Sequence, residues 1–426
     1  MSCVICLFGC LAVCGCKNTV GAKLSFFPPM PPRYCLQGEL DDELQQEIKE
    51  KLKRCKKIQK IKSVKNKYRP TTSGKYEGSF WLIDDQGNLI TPKDAYAVQT
   101  DIFFLNNGRG NILCSFFHRC DEAKYTILFS HGNSTDIGLT RNHLVDLAQN
   151  LKVNILSYDY SGYGLSTGHP SEVNVYADIR AAYDFLVHDE GIAWNTILVY
   201  GQSVGTVPSI DLASDTDYPI GGLILHSPLI SGISVVQTPK KPKLRSFDIF
   251  KNLEKLPRSR SPCFIIHGLN DSVIPVSHGE MLYKVLQKSY PPWWVSAGDH
   301  NLIEIRFRPE YISRLGSFID YLRIQQMGLS ESELLFKFRA LRPTVIKKKS
   351  RPSSARGANS KFKREILVNS KRGSGSEEGV NLTTLPKDSV FGASSRDLQG
   401  DSLHQEDSTL AVSQNITMSS HNNMKQ

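Results

Sequence analysis

The chain has 426 residues, 40% of them hydrophobic, which suffices for one large globular domain with extensions. Its net charge of +10 is carried by two segments: Lys51 to Arg69 holds ten basic residues and no acid, and Lys337 to Arg372 holds thirteen basic residues and one acid. The rest of the chain is acidic, which excludes a uniformly basic body. The two basic runs suit nucleic acid or an anionic lipid surface, and we expect the lipid surface and no nucleic acid.

Ten cysteines would suit a disulfide scaffold, but six of them lie before residue 36 and only four lie in the rest of the chain. A disulfide framework would staple the body, so we do not expect one. A zinc site is the other interpretation of clustered cysteines. Cys3 and Cys6 stand in an apolar run without a second ligand pair at zinc-finger spacing, so we expect no metal and no other cofactor.

Residues 1–16 are apolar and cysteine-rich, and they are shorter than the ~20 residues that span a bilayer. A secretory signal peptide is an alternative, but no Lys or Arg precedes the apolar run and cysteines interrupt it. We predict an S-acylated membrane anchor, since each acyl chain adds ~0.8 kcal/mol of membrane binding per buried CH₂. The cysteines predicted to be acylated are Cys3, Cys6, Cys10, Cys14 and Cys16.

Composition divides the rest of the chain. Prolines between residues 28 and 32 predict an extended spacer, so that anchor and spacer occupy residues 1–36. Residues 37–74 form a charged insert whose apolar positions over 40–64 recur every three or four residues, which suits a membrane-surface helix or a solvated linker. The predicted globular body spans 75–330, and residues 331–426 have the composition of a basic, Ser-rich disordered tail.

Short apolar runs in the body predict strands, and from Tyr125 onward they alternate with helical patterns. This alternation indicates an α/β fold with a mostly parallel central sheet and helices on both faces. Function gathers at the carboxyl ends of strands in such sheets. The predicted strands are Phe80–Ile83, Val98–Leu105, Asn111–His118, Thr126–Ser130, Val153–Tyr158, Ile197–Tyr200, Gly222–His226, Cys263–His267 and Trp293–Val295, with helices at about 136–150, 172–188, 204–214, 277–289 and 309–326.

A glycine-flanked serine follows the predicted strand Ile197–Tyr200, in the sequence Gly201-Gln202-Ser203-Val204-Gly205. A Cβ at either glycine would crowd a tight turn, and a helical pattern follows. The stretch therefore predicts a nucleophile elbow with Ser203 at its apex.

A serine nucleophile needs a base, and the base needs a partner that fixes its tautomer. Asp271 and His300 stand just past two later strand ends, in the chain order Ser, acid, His that α/β-hydrolases use. We assign Asp271 as the acid and His300 as the base. The rival for the acid is Asp299, which is too close in sequence to His300 to lie under its ring. The rivals for the base are His267 and His131, which each end an earlier strand and suit a structural role better.

An oxyanion hole needs two backbone N–H groups. Val204 supplies one, and the loop after Thr126–Ser130 should supply the other, from Asn133 or, second, from Ser134. The stretch Asp159 to Ser166 follows the next strand, and it forms either a wall of an acyl pocket or a purely structural loop.

Several motifs resemble the α/β-hydrolase domain-containing protein 17 group. They are Ser-His-Gly-Asn at 130–133, Ser-Tyr-Asp-Tyr-Ser-Gly-Tyr-Gly at 157–164, Tyr-Gly-Gln-Ser-Val-Gly-Thr-Val-Pro at 200–208, Leu-His-Ser-Pro-Leu at 225–229, Ala-Gly-Asp-His-Asn at 297–301, and Ala-Lys-Leu-Ser-Phe-Phe-Pro-Pro at 22–29. The resemblance implies an α/β-hydrolase fold and a membrane-bound serine hydrolase that removes palmitate from other proteins. It also implies a palmitoylated N-terminus and a triad of Ser203, Asp271 and His300. The insert at 40–70 and the tail after 330 depart from the group.

We therefore predict a palmitoyl-protein thioesterase with a short cap in 229–261. Its expected partners are S-palmitoylated membrane proteins and an anionic membrane surface, and we expect a monomer on the cytoplasmic face of the plasma membrane or endosomes. Two alternatives stay open at this point. A lipid esterase of the monoacylglycerol type uses the same catalytic groups, and a membrane scaffold would keep the fold without the reaction.

Overall fold

The computed structural model describes residue 22 and residues 25–36, 73–92, 97–236 and 248–327. The five cysteines of the predicted anchor, the apolar stripe at 40–64, part of the cap segment at 237–247 and the tail from 331 lie outside these residues. No helix within the described part is both long and apolar enough to cross a membrane.

A nine-stranded sheet forms the centre of the described body. Its strands are β2 (Gly74–Tyr76), β5 (Val98–Asn106), β6 (Ile112–Cys120), β7 (Thr126–Ser130), β8 (Asn154–Tyr158), β9 (Ile197–Gln202), β10 (Gly222–His226), β11 (Cys263–Gly268) and β12 (Trp293–Val295). Their order is β12-β11-β10-β9-β7-β8-β6-β5-β2, and all neighbours from β12 to β8 pair in parallel, while β6, β5 and β2 add antiparallel strands. The predicted mostly parallel sheet is confirmed.

A small antiparallel sheet lies beside it, in the order β1 (Tyr34–Leu36), β3 (Phe80–Ile83), β4 (Leu89–Ile90). Residues 25–36, here called the N-terminal strap, thus contribute a strand to the body. Phe26, Tyr34 and Leu36 of the strap are buried. A segment that the prolines mark as an extended spacer is packed against the body.

Helices connect the parallel strands, and helices also follow the last of these strands, β12. They are α1 (Ile137–Leu151), α2 (Glu172–Asp184), α3 (Thr206–Ala213), α4 (Gly232–Val236), α5 (Asn252–Lys255), α6 (Ser277–Tyr283), α7 (Ile303–Arg306) and α8 (Arg308–Gln326). Asp136 caps α1 by accepting a hydrogen bond from the Leu139 amide, and Ser171 caps α2 in the same way through Asn174. The predicted helix at 277–289 ends earlier, at Tyr283.

Alternate residues of the central strands point to opposite faces of the sheet, and each face is covered by helices. Val199 packs in the cluster that contains Ile179 of α2 and Val207 of α3. Leu198 packs in the other cluster, with Leu144 of α1 and Leu315 of α8. Burying such a side chain contributes roughly 1.5–3 kcal/mol. The two clusters hold the carboxyl ends of the parallel strands in fixed positions.

Candidate active site

Ser203 stands in a strained turn between β9 and α3. Its φ is +54°, a left-handed conformation that a residue with a side chain rarely adopts. A Cβ at Gly205 would collide with the carbonyl oxygen of Ser130, and a Cβ at Gly201 would collide with that of Gly205. The two glycines are therefore needed because backbones approach closely here, and the turn lifts Ser203 to the edge of the sheet.

His300 bridges Ser203 and Asp271. Its Nε2 lies 2.9 Å from the Ser203 hydroxyl oxygen, and its Nδ1 lies 2.7 Å from Asp271 Oδ2. A carboxylate can only accept, so Nδ1–H donates to Asp271 and Nε2 is left to accept from the serine hydroxyl. The three predicted residues follow β9, β11 and β12, and the structure brings them together at one edge of the sheet. This arrangement can activate a serine hydroxyl.

Asp271 is held as an anion. Burial by itself would raise the pKa of its carboxyl, but hydrogen bonds from His267, His300 and the Ile274 amide outweigh burial and bring the pKa well below its usual range. Its second oxygen, Oδ1, accepts from the amides of Val273, at 2.9 Å, and Ile274, at 2.7 Å. The carboxylate therefore has a fixed orientation toward the His300 ring.

The rival residues have other partners. Asp299 Oδ1 accepts from the Leu302 amide at 2.9 Å, and its Oδ2 lies 3.3 Å from Arg306, so its carboxylate is committed to the chain around α7. His267 is fully buried, with Nε2 2.8 Å from the Ile274 carbonyl and 3.3 Å from Asp271 Oδ2. His267 thus contacts the carboxylate of Asp271 and helps to hold it in place. His131 is also fully buried, and its Nδ1 lies 2.8 Å from the carbonyl of Gly132.

The loop after β7, residues 131–136, is here called the β7 loop. It runs against the nucleophile, because a Cβ at Gly132 would lie 3.8 Å from the Ser203 Cβ. Val204 follows Ser203 directly, so the two backbone segments predicted to form an oxyanion hole are neighbours. The backbone N–H of Ser134 donates to Asn133 Oδ1 at 3.1 Å, so this N–H is already used within the loop. The backbone N–H of Asn133 is therefore the better candidate for the second oxyanion donor.

The contacts of the Asn133 side chain join distant parts of the chain and are not evident from the sequence. Its Oδ1 accepts from the Tyr163 hydroxyl at 2.7 Å and from the Phe27 amide at 2.9 Å, and its Nδ2 donates to the Ser25 carbonyl at 2.8 Å. The only signal in the sequence was the adjacency of this residue to the predicted strand end. Both ends of the amide side chain are used to hold the β7 loop.

The sequence permits two interpretations of the stretch Asp159 to Ser166, an acyl-pocket wall and a structural loop. Ser161 donates through its amide and hydroxyl to Asp178, and Ser166 donates to the Asp159 carbonyl. Tyr163, in contrast, points its hydroxyl at Asn133. The stretch is therefore mainly framework, with Tyr163 as its link to the β7 loop.

Glu304 is a further residue beside the site. Its side chain is 15% exposed, with Oε1 accepting from Gln202 Nε2 at 3.1 Å and Oε2 4.0 Å from His226 Nε2. Burial is the main cause that raises the pKa of this carboxyl to about 7. A neutral carboxyl is therefore favoured in the folded protein below neutral pH.

The Glu304→Gln variant is expected to become more stable than the wild type as pH rises. Because the folded pKa is raised, the stability that depends on the neutral carboxyl is full below the unfolded pKa and is lost as pH rises through about 7. Between pH 5 and pH 8 the difference in free energy of unfolding should grow by roughly 2 kcal/mol. Urea denaturation at both pH values measures it, and a difference that is independent of pH would contradict the assignment.

Within the ranges that the structure describes, no group of three or more His, Cys, Asp or Glu side chains could hold a metal ion. Four cysteines in these ranges, Cys35, Cys114, Cys120 and Cys263, are buried and form no disulfide. The chemistry available at the site is that of Ser203, His300, Asp271 and neighbouring backbone amides.

Comparison with known proteins gives two kinds of similarity. Residues 121–248 match the serine aminopeptidase S33 family, a range that contains Ser203 and ends before Asp271 and His300. The chain is 45% identical over 220 residues to α/β hydrolase domain-containing protein 17B of Xenopus laevis, covering 51% of this chain and 75% of that protein. It is 43% identical over 222 residues to α/β hydrolase domain-containing protein 17C of Homo sapiens, covering 52% and 66%. The predicted α/β-hydrolase fold is confirmed.

Proposed function

The chain belongs to the α/β hydrolase domain-containing protein 17 family, and we propose that it is a serine hydrolase that cleaves palmitoyl thioesters on membrane proteins. The observation that carries the proposal is the pair of hydrogen bonds that runs from Ser203 through His300 to Asp271. Both distances fall within the ~2.6–3.2 Å over which a general base can take a proton. The strained, glycine-flanked position of Ser203 is a second support.

In the proposed reaction the Ser203 oxygen attacks the thioester carbonyl while His300 Nε2 takes the hydroxyl proton. The backbone N–H groups of Val204 and Asn133 stabilise the negative oxygen of the tetrahedral intermediate. Collapse breaks the C–S bond, and His300 returns the proton to the departing cysteine sulfur. Water then attacks the acyl-serine with His300 as base, which releases the fatty acid and restores Ser203.

Oxygen esters and thioesters are cleaved by the same groups, so a lipid esterase is the competing function. The test measures kcat/KM of the full-length protein on an S-palmitoylated peptide and on a monoacylglycerol, presented in the same detergent micelles. We expect the thioester to be preferred at least tenfold, and both activities to disappear in Ser203→Ala. A preference for the monoacylglycerol would assign a lipid esterase instead.

We also propose that acylation of Cys3, Cys6, Cys10, Cys14 and Cys16 holds the protein at the cytoplasmic face of a membrane. Changing all five to serine is expected to move the full-length protein to the soluble fraction, since two or more acyl chains are needed for firm anchoring. Turnover of a small soluble thioester should stay unchanged. Cell fractionation measures the shift, with Cys55→Ser as the matched control. Persistent membrane binding would assign anchoring to the basic segments Lys51–Arg69 and Lys337–Arg372.

A further inference from the structure

We infer that the N-terminal strap is a working part of the active site, and that Asn133 and Tyr163 are positioning residues that fix the β7 loop against it. The inference rests on the proposed function, because that function assigns the backbone N–H of Asn133 to the oxyanion hole. It concerns the contacts that hold the backbone N–H of Asn133 in position, and neither the turn at Ser203 nor the triad provides those contacts.

The first attachment of the strap is a cluster of hydrogen bonds around Asn133. The Phe27 amide donates to Asn133 Oδ1 at 2.9 Å and to the Tyr163 hydroxyl at 3.0 Å. The Tyr163 hydroxyl donates to the same Oδ1 at 2.7 Å, and Asn133 Nδ2 donates to the Ser25 carbonyl at 2.8 Å. Because Oδ1 and Nδ2 of Asn133 are both hydrogen-bonded, its side chain cannot rotate without breaking these hydrogen bonds. The backbone of Asn133 is therefore held in place as well.

The second attachment lies at the end of the β7 loop, where α1 begins. The Arg33 amide donates to Asp136 Oδ2 at 2.7 Å, and the Tyr34 hydroxyl donates to Asp159 Oδ2 at 2.5 Å. Asp159 Oδ1 in turn accepts from the Ile137 amide at 3.1 Å, where α1 begins. The strap therefore grips the loop near its middle and at its end.

Aromatic packing holds the strap in place at the first of these attachments. Phe26 is 5% exposed, and its ring meets the rings of Tyr163 and Phe250 edge-to-face, with centroids 6.4 Å and 5.6 Å apart. Tyr163 thus contacts the strap through its ring and its hydroxyl, and it contacts the β7 loop through the same hydroxyl. The Tyr163 side chain therefore couples the position of the strap to the position of the β7 loop.

A shift of the loop would act on the reaction and leave substrate binding intact. Gly132 approaches the Ser203 side chain closely, so movement of the β7 loop changes the distance between the Asn133 amide and the oxygen that becomes negative. Misplacement by about 1 Å can cost on the order of 10²-fold in rate. Since the donor acts mainly in the transition state, the loss should fall on kcat while KM is unchanged.

The test compares Tyr163→Phe with Tyr183→Phe in the full-length protein. Each variant deletes one hydrogen-bonded hydroxyl from a buried ring, but Tyr183 donates to the Pro219 carbonyl, ahead of β10 and at the opposite edge of the sheet. Tyr163→Phe is expected to lower kcat on a soluble thioester about tenfold, with KM within about twofold. It should weaken by the same factor a trifluoromethyl ketone, which forms an oxyanion on Ser203. Tyr183→Phe should change neither constant.

Two further variants approach the loop from its other sides. Asn133→Ala keeps the backbone N–H and removes the side-chain bonds, and Phe26→Ala unseats the strap. Each should lower kcat by a similar or larger factor, and each should be non-additive with Tyr163→Phe because all three act on one cluster. A wild-type kcat in both Tyr163→Phe and Asn133→Ala would overturn the inference. An equal loss of kcat in Tyr183→Phe would also overturn it. Either result would leave the proposed function standing. A wild type without Ser203-dependent turnover would overturn the inference together with the proposed function.

Discussion

Replacing Asp271 with asparagine is expected to lower kcat on a soluble thioester by about 10⁴-fold while the fold is retained. The carboxylate accepts from His300 Nδ1 at 2.7 Å and so keeps Nε2 free to take the Ser203 proton. An asparagine can present its NH₂ group to the ring, which favours the tautomer with the proton on Nε2. In that tautomer Nε2 already carries a proton and cannot accept the one from Ser203. A neutral asparagine also cannot stabilise the positive charge that His300 acquires during the reaction.

Asp299→Asn is the matched control, since this carboxylate stands next to His300 in the chain but binds the Leu302 amide and Arg306. Its kcat should stay within a few-fold of the wild type. Steady-state kinetics of both variants, with thermal unfolding to verify the fold, measure the contrast. A large loss in Asp299→Asn together with a small loss in Asp271→Asn would reverse the assignment of the acid.

Replacing Gly205 with alanine is expected to lower the free energy of unfolding by about 3 kcal/mol or more, because backbone atoms must move apart. The added Cβ would meet the carbonyl oxygen of Ser130 and would lie 2.7 Å from that of His131. Neither oxygen sits on a flexible side chain, and the same displacement would push the β7 loop away from Ser203. Any folded fraction of the variant should therefore have lost activity as well.

Gly316→Ala tests whether this effect is specific to the elbow. Gly316 lies inside α8, and its added Cβ would have Leu151 Cδ2 as its nearest neighbour, at 3.8 Å. An ordinary contact combined with better helix propensity should raise stability by roughly 0.5–1 kcal/mol. Urea denaturation of both variants gives the comparison. Wild-type stability in Gly205→Ala would show that the two backbones do not approach as closely as described.

The triad and the parallel sheet were predictable because their signals are local. Each parallel strand is a short, mostly apolar run, and Ser203, Asp271 and His300 each follow the end of one of them. Parallel strands bring their carboxyl ends to one edge, so three local observations become one site. The turn between β5 and β6 is also a local feature, because Gly108 and Gly110 stand in it and both adopt positive φ.

The strap was not predictable, because its contacts join residues more than a hundred positions apart. Phe27 meets Asn133 across 106 positions, and Tyr34 meets Asp159 across 125. Neither contact leaves a periodic pattern, and the prolines between them are typical of a free spacer. The burial of Glu304 was hidden for the same reason, since its polar partners Gln202 and His226 come from β9 and β10.

Labelling by a fluorophosphonate probe tests the central claim most directly, because the probe reacts only with an activated serine. The full-length wild type should be labelled in a time-dependent manner, Ser203→Ala should not be labelled, and Asp271→Asn should be labelled far more slowly. Equal labelling of the wild type and Ser203→Ala, in protein of equal fold stability, would contradict the account.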